Sequence, residues 1–157
     1  MPESLRETAL FVDRTVLVLP RAHPFVEGDD FGALHAERWI GGCPRCRGHL
    51  LTTCAAADFV PEIVLETDNA LAVLGLVAAG LGIALLPGLS LQSAAIPEEV
   101  RVVTLPPSVS RVIAVAHRRG ARRVPSIRVL TEAVAAVPPD RHGLEAVGPQ
   151  GPVGGPS

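Results

Sequence analysis

Apolar residues in this chain form two patterns that alternate, short unbroken runs and stripes at helical spacing. "TVLVLP" (15–20) is a continuous β-branched and Leu run stopped by Pro20, which predicts a strand covered on both faces. "FGALHAERWI" reads as a short helix feeding a strand around Arg38 to Gly41. "RGHLLTTCAAADF" reads as a helix with Leu50, Cys54 and Ala57 on one stripe. "PEIVLE" (61–66) is another strand, after which Thr67, Asp68 and Asn69 offer capping side chains to a helix over 70–79. "VRVVTL" and "RVIAVAHR" are two further strands, and 124–137 is a helix with Ile127, Leu130 and Val134 facing inward. From Pro138 the composition turns to Gly, Pro and isolated charges, which predicts disorder. No internal repeat is present.

The stretch from Ala70 to Leu89 runs for twenty residues without a charge, the length of a membrane span. Gly80 and Gly82 interrupt it, Pro87 closes it, and neither an Arg cluster nor an aromatic belt flanks it. The better reading is a helix ended by Gly80 in the left-handed conformation, followed by a short buried strand, "GIALL". Strands and helices then alternate, which predicts a mostly parallel sheet with helices on both faces.

At 157 residues, 48% hydrophobic and 19% charged with a net charge of -2, the chain has the make-up of one modest soluble domain and no electrostatic footprint for nucleic acid. All 14 basic residues are Arg, so Schiff-base and P-loop lysine chemistry are excluded. "GLVAAGLG" (75–82) has two glycines at phosphate-loop spacing but lacks the Lys and Ser/Thr that must follow. No G-x-S-x-G or H-E-x-x-H occurs, and the reading is of a protein that is not an enzyme and takes no cofactor. Arg118, Arg119, Arg122 and Arg123 read as a solvated surface, and His23 as a turn residue. An odd cysteine count of 3 and no secretory leader point to a reducing, cytoplasmic setting.

All three cysteines fall in "GGCPRCRGHLLTTC" (41–54). Cys43, Cys46, His49 and Cys54 match the ligand count of a zinc site, but a structural site usually joins two pairs from separate turns, and the second pair is missing. A helix starting near Cys46 would also stretch the set over about two turns, so no metal is expected. Cys43 and Cys46 at a helix start could be redox-active, because a helix N-terminus lowers a thiol pKa. Cys54 reads as a small core residue. The preferred reading of the motif is a loop and helix start.

"DRTVLVLPRAHPF", "RWIGG", "IVLETDNALAVLGLVAAGLGIALLP", "VRVVTL" and "SRVIAVAHRR", in this order from about Asp13 to Val137, resemble the effector-binding region of LysR-type transcriptional regulators. The strand ending in Pro followed by His-Pro, and the Val-Ala-Ala-Gly-Leu-Gly-Ile-Ala-Leu-Leu-Pro segment, carry most of the likeness. The resemblance implies an α/β, periplasmic-binding-protein type II-like effector domain, with one lobe largely complete and the other only partly present. Residues 1–13 would be a lead-in or lobe crossover and 14–105 the effector-binding lobe II. Residues 106–137 would be the return strand and helix of an incomplete lobe I, and 138–157 a disordered Gly/Pro-rich tail.

In this family a small molecule between the lobes modulates transcription, a population shift rather than catalysis. Ligands of open α/β sheets bind where strand ends meet helix N-termini, which singles out Gly42, Cys43, Pro44, Arg45 and Arg47 at one turn and Thr67, Asp68 and Asn69 at another. The partners implied are a small-molecule effector, anionic in one reading, and a second copy of the full-length protein. No membrane is implied. DNA would be reached only through a winged helix-turn-helix, which no residue here resembles. The alternative is a stand-alone small-molecule-binding or cysteine-based redox-sensing protein, with Cys43 and Cys46 as the sensing pair.

Overall fold

The computed structural model describes residues 5–147, apart from the Arg122 side chain. The chain divides into two compact units, residues 14–110 and a second made of the flanking segments, 1–13 with 111–157.

In the 14–110 unit the strands are β2 (Thr15–Pro20), β3 (Arg38–Gly41), β4 (Glu62–Glu66), β5 (Ala84–Pro87) and β6 (Val100–Thr104). Helices α1 (Pro44–Ala55) and α2 (Ala70–Ala78) follow β3 and β4. β3 and β4 pair in parallel, as expected of a β-α-β crossover, and a parallel bridge from Trp39 to Ile83 joins them to β5. β2 lies between β5 and β6 and is antiparallel to both. The mostly parallel sheet is corrected on this point: hydrophobic pattern reports how many faces of a strand are covered, not the direction in which it runs.

Alternation across these strands builds a core on each face. Leu17, Leu19, Trp39 and Leu85 point to the side where Leu50 and Cys54 of α1 pack. Val16, Val18, Ile40 and Leu86 point to the side covered by Val73, Leu74 and Val77 of α2. Helix α1 buries Leu50, Thr53 and Cys54; Ala57, expected on that stripe, lies beyond the helix end and is only half-buried. The Thr53 hydroxyl donates to the His49 carbonyl one turn back, so it enters the apolar face with its polar group satisfied.

The twenty-residue apolar stretch divides as its glycines predict. Gly80 adopts φ +72, its N–H donates to the Val77 carbonyl (2.9 Å), and the Leu81 N–H donates to the Leu76 carbonyl (3.1 Å). This is a Schellman closure of α2. No helix among the described residues is long and apolar enough to cross a membrane.

The second unit contains a strand that the sequence pattern did not reveal, β1 (Leu5–Asp13), with β7 (Arg111–Arg118), α3 (Pro125–Ala135) and β8 (Leu144–Ala146). β1 is central, antiparallel to β7 from Leu5↔Arg118 to Asp13↔Arg111 and to β8 from Phe11↔Ala146 to Asp13↔Leu144. The expected disorder from Pro138 is therefore corrected for its first part, because β8 completes an edge of β1; residues 148–157 lie outside the described residues. At the end of the β1–β7 ladder the fully buried Asp13 carboxylate takes two hydrogen bonds from Arg111, at 2.7 and 2.8 Å. The inward packing expected for α3 is also corrected: Ile127, Leu130 and Val134 face β7 across an open groove of about 430 Å³, and Leu130 remains 65% exposed.

Two outcomes follow for stability. A Cβ on Gly82 would sit 2.8 Å from the Arg38 carbonyl oxygen, where β5 bridges β3, whereas a Cβ on Gly75 of α2 would meet nothing within 4 Å. Urea unfolding should show Gly82→Ala losing about 1–3 kcal/mol and Gly75→Ala gaining about 0.5–1 kcal/mol. Burial pushes the Cys54 thiol from 9.0 up to about 11, which favours the protonated group in the folded state. Its contribution is present in full below pH 9.0 and is lost as pH rises through about 11. With no Lys and no Tyr in the chain, few other groups titrate there. Melts across this range should show a decline on the order of 2 kcal/mol that Cys54→Ala largely removes.

Candidate functional site

Because β3 and β4 are parallel neighbours, their carboxyl ends lie side by side, with Gly41 in register with Glu66. Both helix starts singled out in the sequence therefore emerge at one edge of the sheet. The Thr67 N–H donates to the Gly41 carbonyl at 3.0 Å and ties the two loops together. The approach leaves little room: a Cβ on Gly41 would sit 3.2 Å from both Glu66 Cγ and Ile63 Cγ2.

Helix α1 starts at Pro44, two residues earlier than the sequence suggested, with Cys43 as its N-cap. Pro44 brings no N–H, and the Cys43 side chain makes no capping hydrogen bond. The Cys43 and Cys46 sulfurs are 3.2 Å apart, and the Cys43 thiol pKa is lowered from 9.0. The main cause is the Cys46 N–H, then the Cys46 side chain; the Arg45 N–H adds to it, while partial burial and the Asp68 carboxylate oppose it.

The two arginines of this loop differ. Arg47 Nε is 2.9 Å from Glu66 Oε1, so its charge is largely matched within the protein. Arg45 is exposed and forms no ion pair among the described residues.

At the second helix start the cap is Asn69. Its Oδ1 accepts the N–H groups of Leu71 (2.9 Å) and Ala72 (3.2 Å), while the Thr67 hydroxyl accepts the Asn69 N–H (3.3 Å). Of Thr67, Asp68 and Asn69, all expected to offer capping side chains, Asn69 caps the helix directly and Thr67 and Asp68 do not: the capping oxygen must reach the second and third helical N–H groups, and only Asn69 immediately precedes the helix.

His49 and Cys54 do not converge with the Cys43–Cys46 pair. His49 Nε2 lies 3.1 Å from the buried Thr15 hydroxyl, which itself donates to the Val109 carbonyl, so the imidazole is placed as the donor. Cys54 is in the core. Among the described residues no three His, Cys, Asp or Glu side chains are grouped to hold a metal ion. Sequence reasoning missed the His49–Thr15 link, since the partners are 34 residues apart and no spacing relates them.

It also missed an open cavity of about 370 Å³ in the 14–110 unit, lined by Phe25, Asp29, Phe31, Thr53, Leu105 and Val109 among others. These residues come from separate segments and share no spacing. His23 is a turn residue, its Nδ1 accepting the Phe25 N–H and its Nε2 lying 3.2 Å from Glu37 Oε1. Arg118, Arg119 and Arg123 are exposed.

Comparisons with known proteins agree with this architecture. An OxyR mutant from Corynebacterium glutamicum is 21% identical with a TM-score of 0.68, covering 85% of this chain and 47% of that one. The Synechocystis CcmR regulatory domain in complex with 2-PG is 20% identical with a TM-score of 0.72, covering 87% of this chain and 69% of that one. The QuiR effector-binding domain in complex with shikimate is 18% identical with a TM-score of 0.63, covering 83% and 64%. At these identities the likeness establishes a shared fold, the periplasmic-binding-protein type II-like α/β fold. The chain spans about half the length of the OxyR structure. No match was found among curated proteins. The family model of the LysR substrate binding domain matches residues 1–138, which span both units, and the chain belongs to that family.

Proposed function

We propose that this chain is the effector-sensing part of a LysR-type transcriptional regulator, and that it binds a small molecule carrying an anionic group at the edge formed by the β3–α1 and β4–α2 loops. The observation that carries this reading is the start of α1. Arg45 there is exposed and forms no ion pair among the described residues, and the neighbouring loop is held against the helix start by the Thr67–Gly41 hydrogen bond. The helix dipole favours negative charge at such a position, and the Cys46 and Arg45 N–H groups already favour it at the Cys43 sulfur. The α2 start has already spent two of its N–H groups on Asn69, so Thr67 and Asp68 contribute side chains rather than a helix end. Asp68 repels a second negative charge and favours a hydroxyl or amine on the same molecule.

Binding here acts by selecting a conformation, so the effector needs differential affinity and no catalytic group. CcmR and QuiR, solved with 2-PG and shikimate, support a small polar ligand as the class to test first. No residue of this chain is assigned to DNA.

The test is a thermal-shift screen of small hydroxy-carboxylates and phosphorylated acids, followed by calorimetric titration of the compounds that stabilise the protein. A ligand present at about a hundred times its Kd should add about 2.7 kcal/mol of stability. Arg45→Ala should weaken it by about tenfold, the loss of one charge-assisted hydrogen bond. Thr67→Ala should weaken it less, and Arg123→Ala, outside the site, should leave Kd unchanged. A ligand whose Kd is indifferent to both Arg45→Ala and Thr67→Ala would overturn this placement.

A separate outcome concerns the scaffold. Asn69→Ala should cost about 1 kcal/mol in urea unfolding by exposing the Leu71 and Ala72 N–H groups, and should leave the sheet intact by circular dichroism.

A further inference from the structure

We propose that Cys43 and Cys46 form a reversible dithiol–disulfide site that exchanges with small-molecule disulfides. The two sulfurs are 3.2 Å apart across the first turn of α1, so a bond of about 2.05 Å needs only a small closing movement. Gly42 helps to hold them there. A Cβ at that position would lie 2.6 Å from Cys46 Cβ, so the loop passes tightly over Cys46 and keeps its side chain beside Cys43. Both cysteines are half-buried and reachable, whereas Cys54 is fully buried in the core.

Chemistry separates the three thiols further. Helix-start N–H groups favour the Cys43 thiolate, which makes it the nucleophile, while burial keeps Cys54 protonated. Exposed Arg45 favours an oxidant that carries carboxylates, such as oxidised glutathione. The Cys43 thiolate attacks one sulfur of that disulfide, forming a mixed disulfide and releasing one thiolate. Cys46 then attacks the Cys43 sulfur, forming the Cys43–Cys46 bond and releasing the second thiolate, which takes up the Cys46 proton. Two protein thiols are oxidised and one small-molecule disulfide is reduced to two thiols, a two-electron exchange. This site does not depend on whether an effector binds at the same loop.

The test equilibrates the reduced full chain in buffers of graded oxidised to reduced glutathione ratio, followed by acid quench, alkylation and peptide mass spectrometry. Trypsin cleaves after Arg45, so a Cys43–Cys46 bond appears as the 39–45 and 46–47 peptides joined covalently. The expected result is that this joined pair rises with the ratio and disappears on returning to reduced buffer, with Cys54 alkylated only after unfolding. Cys46→Ser should trap glutathione on Cys43. Glutathione resting on Cys43 in the wild-type chain, a bond to Cys54, a cross-link between chains, or no oxidation at any ratio would each overturn the proposal. These readouts are taken on the wild-type protein, so they stand even if a variant fails to fold.

Discussion

Parallel pairing of β3 with β4 is the constraint on which the candidate site depends. Two parallel neighbours cannot be joined by a tight turn, so the chain between them must cross over, and α1 is that crossover. The same requirement makes both strands end at one edge, so the loop that starts α1 and the loop that starts α2 become neighbours. Gly41 and Thr67 then serve one purpose, since each permits or fixes the close approach of the two loops, while Gly42 permits the close pass over Cys46 within the first loop. A side chain at Gly41 would press on Glu66 and Ile63, one at Gly42 would overlap Cys46, and the Thr67 N–H satisfies the Gly41 carbonyl.

The core is organised around β2, which has helices on both sides and antiparallel neighbours on both edges. Such a strand must satisfy every backbone group within the sheet and carry apolar side chains on both faces, which is why "TVLVLP" contains no charge. Its first residue is polar for a reason: the Thr15 hydroxyl bonds the Val109 carbonyl and the His49 ring, joining the strand to the segment before β7 and to α1. In the other unit the corresponding polar fixture is Asp13, fully buried and bonded by Arg111. These two residues are separated only by Arg14, at one of the two points where the chain passes between its units. A buried carboxylate without a partner would be strongly unfavourable, so Asp13 fixes the register in which β1 and β7 can pair.

Charge at the candidate site is balanced locally. Arg47 is matched by Glu66, Asp68 opposes the thiolate that the α1 N–H groups favour at Cys43, and Arg45 is left exposed. The result is a helix start with a modest preference for negative charge. Its two thiols are close enough to react with each other, and the third is removed from competition by burial.

Much of this was legible in the sequence because it depends on local spacing. Unbroken apolar runs marked β2 and the region of β5, Gly80 marked the end of α2, and the residues ahead of α1 and α2 marked the two loops. These features follow from backbone geometry and burial, which act over a few residues. The pattern could not show that β2 runs antiparallel, that β1 and β8 join β7, that Asn69 rather than Thr67 or Asp68 caps α2, or that Leu130 stays exposed. Nor could it show that His49 reaches Thr15, or that Arg47 is neutralised by Glu66. Each of these depends on which segments become neighbours in space, and residues 19 to 98 positions apart, such as Arg47 and Glu66 or Asp13 and Arg111, carry no mutual spacing signal. Sequence thus marked strands β2 to β7, the three α-helices and the loop chemistry, while the tertiary structure alone decided that β1 and β8 form, which loops meet and how the charges pair, because long-range pairing is fixed only when the whole core is buried at once.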